Sequence, residues 1–235
     1  MIDPDSREPQ AVRERYGRRA AADARYSLLN PAALLAWQER QRAILRLFVR
    51  LGFTDLAQLR LLEVGSGTGG NLLDFLRMGF APDRLSGIEL LPERHDAARR
   101  CLPPAVTLAL GDATATRLPE AGHDIVFQST VFSSLLDDAF QQRLADTMWA
   151  AVKPGGGVLW YDFTVDNPRN PDVRGVPLAR VRQLFPHARM QSQRVTLAPP
   201  LARALAWVHP GLCSVANGFP MLRTHVLAWL EKPIP

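Results

Sequence analysis

The sequence predicts an α/β protein: a mostly parallel seven-stranded sheet with helices on both faces, its last strand antiparallel, and a helical cap at the N-terminus. Three observations carry that expectation. From residue 60 onward, short apolar runs alternate with stretches of helical period, which implies right-handed βαβ crossovers. A glycine-rich turn, "GSGTGG" at 65–70, joins the first apolar run to the first of those helical stretches. The chain's 235 residues, 47% hydrophobic and 22% charged, suffice for one sizeable core, with little room for a second.

The elements follow in order. Residues 1–29 are polar and charged with little apolar periodicity, and they read as a mobile arm or partial lid. Asn30 and Pro31 then supply an N-cap and a first-turn proline, and Leu34, Trp37, Ile44, Phe48 and Leu51 recur at helical steps before Gly52. Residues 1–55 are accordingly the arm and cap, and 56–235 the main domain.

In that domain Leu61 to Val64 is the first strand, Asn71 to Met78 a helix closed by Gly79, and Leu85 to Leu90 the second strand. Pro92 to Cys101 is helical, "AVTLAL" at 105–110 a third strand and "HDIVFQST" from His123 a fourth. "DDAFQQRLADTMWAAV" is a long helix, and "GGVLWYDF" the fifth strand. Beyond Phe163, "TVDNPRNPDVRGV" is a loop with two Asn-Pro pairs and "PLARVRQLF" a short helix. "ARMQSQRVTLA" and "LRTHVLAWLEK" complete the sheet, linked by an apolar insertion at about 199–221.

Charge and cysteine content narrow the function classes. The 28 basic residues outnumber the 23 acidic ones, yet no basic stripe emerges along the chain, so no nucleic-acid partner is expected. Cys101 and Cys213 form no C-x-x-C pattern, and neither a disulfide framework nor a metal site is indicated. The N-terminus lacks the apolar stretch of a signal peptide, and no window approaches about 18 uninterrupted apolar residues. A cytoplasmic protein with no membrane partner is the expectation.

In a parallel sheet, ligands bind beyond the carboxyl ends of the strands, so the residues just after each strand are the ones to compare. Gly65, Gly67 and Gly69 let backbone approach a ligand while the next helix presents its N-terminal amides. Glu89, at the second strand's tip and about 19 residues past the glycines, can accept from both hydroxyls of a ribose. Glu63 discriminates among nucleotides. Its negative charge is unwelcome beside a pyrophosphate but suits a ligand with a cationic amine. Asp112, after the third strand, is placed to accept from an adenine amino group.

With these residues in place the chain resembles the class I S-adenosylmethionine-dependent methyltransferases of the small-molecule, Rossmann-like type. "LEVGSGTGG", "GIELLPER", "LGDAT", "HDIVFQSTVFSS" and "VKPGGGVLWYDF" occur in that family's order. The resemblance implies S-adenosyl-L-methionine as cofactor. Glu63, Gly65, Ser66, Gly67 and Gly69 would hold its methionine moiety, Glu89 and Leu90 the ribose side, and Asp112 with Ala113 the adenine. Gln128 and Ser129 would flank the sulfonium, and Tyr26 could close over the cofactor. Ser66 is an accepted variant at its motif position.

The acceptor is less legible. A hydroxyl acceptor needs a base, whereas an amine need only arrive deprotonated. Asp162 and Tyr161, at the end of the fifth strand, and His225 in "RTHVLAWL" are the candidates, each with a plausible packing role instead. The loop from Asp166 to Arg174 clusters Asn167, Asn170, Asp172 and Arg174, which suits a hydroxyl-rich acceptor such as a sugar. By resemblance the acceptor is a sugar or secondary-metabolite intermediate of a bacterial pathway, methylated on oxygen or nitrogen. Rival readings are a nucleic-acid or protein methyltransferase, an NAD(P)-dependent oxidoreductase and a non-catalytic binding module. Against the first, the segment after the fourth strand reads "QSTV" and lacks an Asn/Asp-Pro-Pro-aromatic motif. Monomer and homodimer are both open.

Overall fold

A computed structural model describes residues 7–18, 27–166 and 170–234. The elements run α1 (Glu8–Gly17), α2 (Pro31–Arg50), β1 (Leu61–Val64), α3 (Gly70–Met78), β2 (Leu85–Glu89), α4 (Pro92–Cys101), β3 (Thr107–Leu110) and β4 (His123–Ser129). They continue α5 (Asp138–Ala151), β5 (Val152–Phe163), α6 (Leu178–Leu184), β6 (Arg189–Leu197), α7 (Pro199–Val208), α8 (Pro210–Asn217) and β7 (Arg223–Glu231).

The seven strands form one sheet in the order β3-β2-β1-β4-β5-β7-β6. β1 to β5 pair in parallel, while β7 runs antiparallel to both neighbours. The order in which successive strands are added reverses between β1 and β4, and a crevice at such a switch point is where open α/β sheets bind ligands. Both faces of the sheet are covered. Val126, Val158 and Trp160 pack under α5 and α6 with Met148 and Phe185, while Phe127, Leu159 and Trp229 pack with Ile44 and Phe48 of α2 and Phe75 of α3. All four residues of β1 are buried, as a central parallel strand requires.

Three elements differ from the sequence expectation. β5 begins at Val152, ahead of the glycines, because Val152 pairs with His123 before a register shift brings Gly157 opposite Ile125. In α2 the buried stripe is Ala43, Ile44, Leu47 and Phe48; Trp37 is only half-buried and donates from Nε1 to Asp74 Oδ2 at 2.9 Å.

The third is the N-terminal segment, whose described residues 7–18 are a docked helix rather than a polar arm. Val12, Glu8 and Arg15 are buried. Arg15 pairs with Glu8 at 2.5 Å and donates to Ser134 O at 3.0 Å, while Glu8 accepts from Leu136 N at 2.7 Å. Docking through charged groups leaves no apolar period to read.

The 199–221 insertion folds as the hairpin α7–α8. It packs Ala202 and Cys213 against Ala32 of α2 and Leu197 of β6.

Candidate active site

At the carboxyl end of β1 the backbone turns through Gly65 and Gly69, both in the left-handed region at φ +70° and +85°. A Cβ on Gly65 would lie 2.5 Å from Val131 Cγ2, and one on Gly69 would lie 2.8 Å from Leu102 Cδ1. The left-handed backbone favours glycine at both positions, and the contact with the branched Val131 adds a steric reason at Gly65. Gly69 caps α3, whose first amides face the turn.

Glu89 braces this turn from the neighbouring strand. Its Oε2 accepts from Gly67 N at 2.7 Å and its Oε1 from Leu91 N at 2.8 Å. Each carboxylate oxygen keeps a second lone pair. Ser66 is buried against Gly87, and its Oγ has no hydrogen-bond partner among the described residues.

Glu63 is fully buried beneath the turn. Asn71 Nδ2 donates to its Oε1 at 2.6 Å, while Oε2 finds no partner among the described residues. Burial, only partly offset by Asn71 and the nearby Arg40, pushes the Glu63 carboxyl up to about 8. Arg40 enters from α2: Nη2 donates to Asn71 Oδ1 at 2.8 Å and Nη1 to Ser129 Oγ at 3.4 Å, with Asp74 Oδ2 3.6 Å away. Its Nε is buried without a partner among the described residues. One unmet acceptor and one unmet donor thus stand beside the glycine turn.

The other strand ends extend the site. Asp112, after β3, accepts from Thr114 N at 2.8 Å and Thr114 Oγ1 at 2.9 Å, both on Oδ1. Ala113 is buried and Leu90 half-buried. After β4, Gln128 is fully buried, with Oε1 accepting from Val131 N at 3.0 Å and Nε2 donating to Tyr161 O at 3.4 Å. That side chain shapes the turn in which Thr130 takes φ +57°.

The three candidate bases separate onto two faces of the sheet. Tyr161 lies with α2: its ring has the Arg40 guanidinium 5.4 Å from its centroid and the His225 ring stacked at 5.1 Å, and its hydroxyl is 2.8 Å from Thr196 Oγ1. Burial raises the Tyr161 phenol. Burial, with Arg40 adding, pushes the His225 imidazole down to about 4, so the ring is neutral near pH 7. Asp162 points to the opposite face, fully buried, accepting from Ser133 N at 3.1 Å and Phe163 N at 2.9 Å. Burial outweighs these bonds and holds its carboxyl up at about 7.

The loop after β5 has its polar groups engaged. Asp166 accepts from Gly175 N at 2.8 Å, Arg18 reaches Asp172 at 2.7 Å, and Arg174 pairs with Asp138. A cavity of about 310 Å³ lies beside them, lined by Asp138, Gln141, Thr164, Asp166, Arg174 and Arg180. Tyr26 and Asn167 lie outside the described residues.

Sequence reasoning missed Arg40, Asn71 and Thr196. Arg40 falls three residues after Trp37 and four before Ile44, so a cation inside the apolar period of α2 was the available signal. Asn71 and Thr196 carried none, since their importance comes from what the fold sets opposite them.

The site has recognisable company. A methyltransferase-domain family model matches residues 61–156. No curated protein matches the sequence. Among solved structures, geranyl diphosphate C-methyltransferase from Streptomyces coelicolor A3(2) superposes with TM-score 0.63 at 12% identity, over 98% of this chain and 100% of that one. Phosphoethanolamine N-methyltransferase 2 from Haemonchus contortus gives 0.60 at 17% identity; 94% of this chain matches, spanning 60% of that protein's length. The [4+2]-cyclase SpnF gives 0.58 at 15% identity, over 96% and 93%. The chain thus carries a methyltransferase domain over residues 61–156, on the Rossmann-like fold of the S-adenosylmethionine-dependent methyltransferases it superposes on.

Proposed function

We propose that this chain transfers a methyl group from S-adenosylmethionine to an oxygen or nitrogen atom of a small-molecule acceptor, a sugar or secondary-metabolite intermediate, in the cytoplasm. The observation that carries the reading is the pair of buried, unpartnered groups at the glycine turn, Glu63 Oε2 and Arg40 Nε. An α-amino group answers the first and an α-carboxylate the second, which is the chemistry of the cofactor's methionine end. When bound, the cofactor supplies an electrophilic methyl carbon on a sulfonium.

The chain's own residues bind and orient. Gly65, Ser66, Gly67 and Gly69 bring backbone close to the methionine moiety. Glu89 uses its second lone pairs for the ribose hydroxyls. Asp112 offers Oδ2 to the adenine amino group, since Thr114 occupies only Oδ1. Leu90 and Ala113 flank the adenosine, Ser129 stands near the sulfonium, and Gln128 holds the turn that places it. Within residues 1–55, the helices α1 and α2 act as a cap on the domain 56–235.

Positioning the acceptor about 3 Å from the methyl carbon supplies much of the rate. For a hydroxyl acceptor His225 is the candidate base, with Tyr161 holding its ring by stacking, while the burial that keeps it neutral weakens it as a base and favours an amine that arrives deprotonated. Asp162 anchors the loop after β4. The polar cavity beside the loop after β5 supports a hydroxyl-rich acceptor, because it offers carboxylate, amide, hydroxyl and guanidinium groups together.

Titration calorimetry with S-adenosylhomocysteine tests the cofactor site, with micromolar binding expected. Tighter binding of NAD would overturn it. Incubation with S-adenosylmethionine and a panel of sugars and heteroatom-bearing metabolites, read by a one-methyl mass gain, tests the acceptor. Transfer only to carbon acceptors would overturn the oxygen-or-nitrogen reading.

A further inference from the structure

The arginines that show no stripe along the sequence converge in the fold. α2 packs on β6, α7 and α8, and α8 packs on β6. Across these four elements and the residues joining α7 and α8 to the strands, 198–222, the sequence contains a single acid, Glu39. That acid is turned inward, accepting from Thr196 N at 2.8 Å. Arg42, Arg46, Arg50, Arg194 and Arg203 are all exposed on the same elements.

The hairpin end of this face is apolar. Trp207 is 90% exposed and Met221 82%, with Val208, Val215 and Phe219 also exposed; Leu29, 94% exposed, stands just ahead of α2. Isolated apolar residues on a surface need no explanation, but a cluster contributed by one hairpin marks an interaction site.

We propose that this face docks on the surface of an anionic lipid bilayer, with the hairpin's apolar side chains entering the headgroup boundary and the arginines meeting lipid phosphates. Charge selects this occupant. A second copy of the chain would bring an acid-free, arginine-bearing face against itself, and like charges meeting there oppose association. A single-stranded nucleic acid would stack its bases on a run of aromatic rings, whereas Trp207 and Phe219 stand among the aliphatic Val208, Val215 and Met221. A bilayer surface takes both features, since a Trp sits well at the interface and basic residues are drawn to anionic leaflets. Among the described residues no helix is long and apolar enough to cross a membrane, and lying on one asks for no span. The proposal departs from the expectation, drawn from linear order, of no membrane partner.

Co-sedimentation of the full chain with vesicles tests this. Binding is expected to vesicles of phosphatidylcholine and phosphatidylglycerol in equal parts, weaker binding to phosphatidylcholine alone, and loss of binding at high salt. A blue shift of tryptophan emission on binding should vanish in Trp207→Ser. Trp207→Ser with Phe219→Ser should weaken binding by roughly tenfold or more, and Arg46→Glu with Arg50→Glu should remove the preference for anionic lipid. All these side chains are exposed, and unchanged S-adenosylhomocysteine binding by each variant verifies folding. No binding to either vesicle, or binding indifferent to lipid charge and salt, overturns the proposal. So does self-association, seen by sedimentation velocity, that the Trp207/Phe219 variant abolishes while vesicles capture nothing.

Discussion

Asn71 donates to Glu63 at 2.6 Å and at the same time accepts from Arg40 at 2.8 Å, so one amide links a buried acid to a buried cation beneath the glycine turn. The link leaves Glu63 Oε2 and Arg40 Nε unmet. Each is costly in isolation and each is answered by one end of an amino acid zwitterion.

Glu63 makes cofactor binding pH-dependent. Without ligand its carboxyl keeps a proton up to about pH 8, because burial disfavours the anion. An incoming ammonium favours the carboxylate, so binding releases a proton below pH 8. Affinity should rise about tenfold per pH unit from pH 6 toward 8 and then flatten. Calorimetry in buffers of different ionisation heat reads the proton directly; Glu63→Gln should bind weakly with no proton release. Binding with no proton exchange in the wild type would sink this account.

Arg40→Ala should weaken S-adenosylhomocysteine by about 1.5 to 3 kcal/mol, the range for a hydrogen bond to a charged group. Arg40→Lys should recover little, because an ammonium cannot reach Asn71 and Ser129 and still present a free donor in one plane. Fluorescence titration of the three proteins checks the order.

Glu89 and Asp112 should differ in kind. Removing Glu89 strips acceptors from Gly67 N and Leu91 N as well as from the ribose, so Glu89→Ala should lower both affinity and melting temperature. Asp112→Ala should cost about 1 to 3 kcal/mol of binding with a smaller thermal effect, since it loses only the local Thr114 bonds. Calorimetry and thermal melts on the ligand-free proteins separate the two.

Gly65→Ala should destabilise the fold by about 1 to 3 kcal/mol, from left-handed backbone plus a methyl forced against Val131. At about 2 to 4 °C per kcal/mol for a chain of this size, the shift is readable in a melt. Val131→Ala should partly rescue it by removing the colliding methyl, and no rescue would show that the dihedral dominates.

Asp162 predicts a stability profile. Its folded carboxyl holds a proton to about pH 7, against an ordinary value of 3.8. The native state therefore binds more protons than the unfolded chain between those values, so this contribution is full below about 3.8 and is lost as pH rises to about 7. Glu63 acts with the same sign, so the readout is the difference between wild type and Asp162→Asn, whose melting temperature should fall less over that interval.

The order of strands and helices was legible because period and punctuation are local properties of a chain. Alternating apolar runs, the glycine turn, Asn30-Pro31 before α2 and Gly79 after α3 each announce their element within a few residues. The carboxylates at 63, 89 and 112 were legible for a related reason: in a parallel sheet every strand end points to the same edge, so position in sequence reports position in the crevice.

What the linear order withheld is everything that depends on two distant segments meeting. Arg40 meets Asn71 and Ser129 only when α2 lies across them, and α1 docks only when Glu8 and Arg15 find the backbone of 134–136. Tyr161 and Asp162 are neighbours in sequence, yet the strand's two-residue period sends one to His225 and Thr196 and the other to Ser133. The sequence alone determined the fold class, because local pattern specifies it, and its ordered motifs carried the expectation of the methyl donor. Only the tertiary structure decided which cation meets Asn71 at the glycine turn, which face each candidate base occupies and where the scattered arginines gather, because those are relations between residues far apart along the chain.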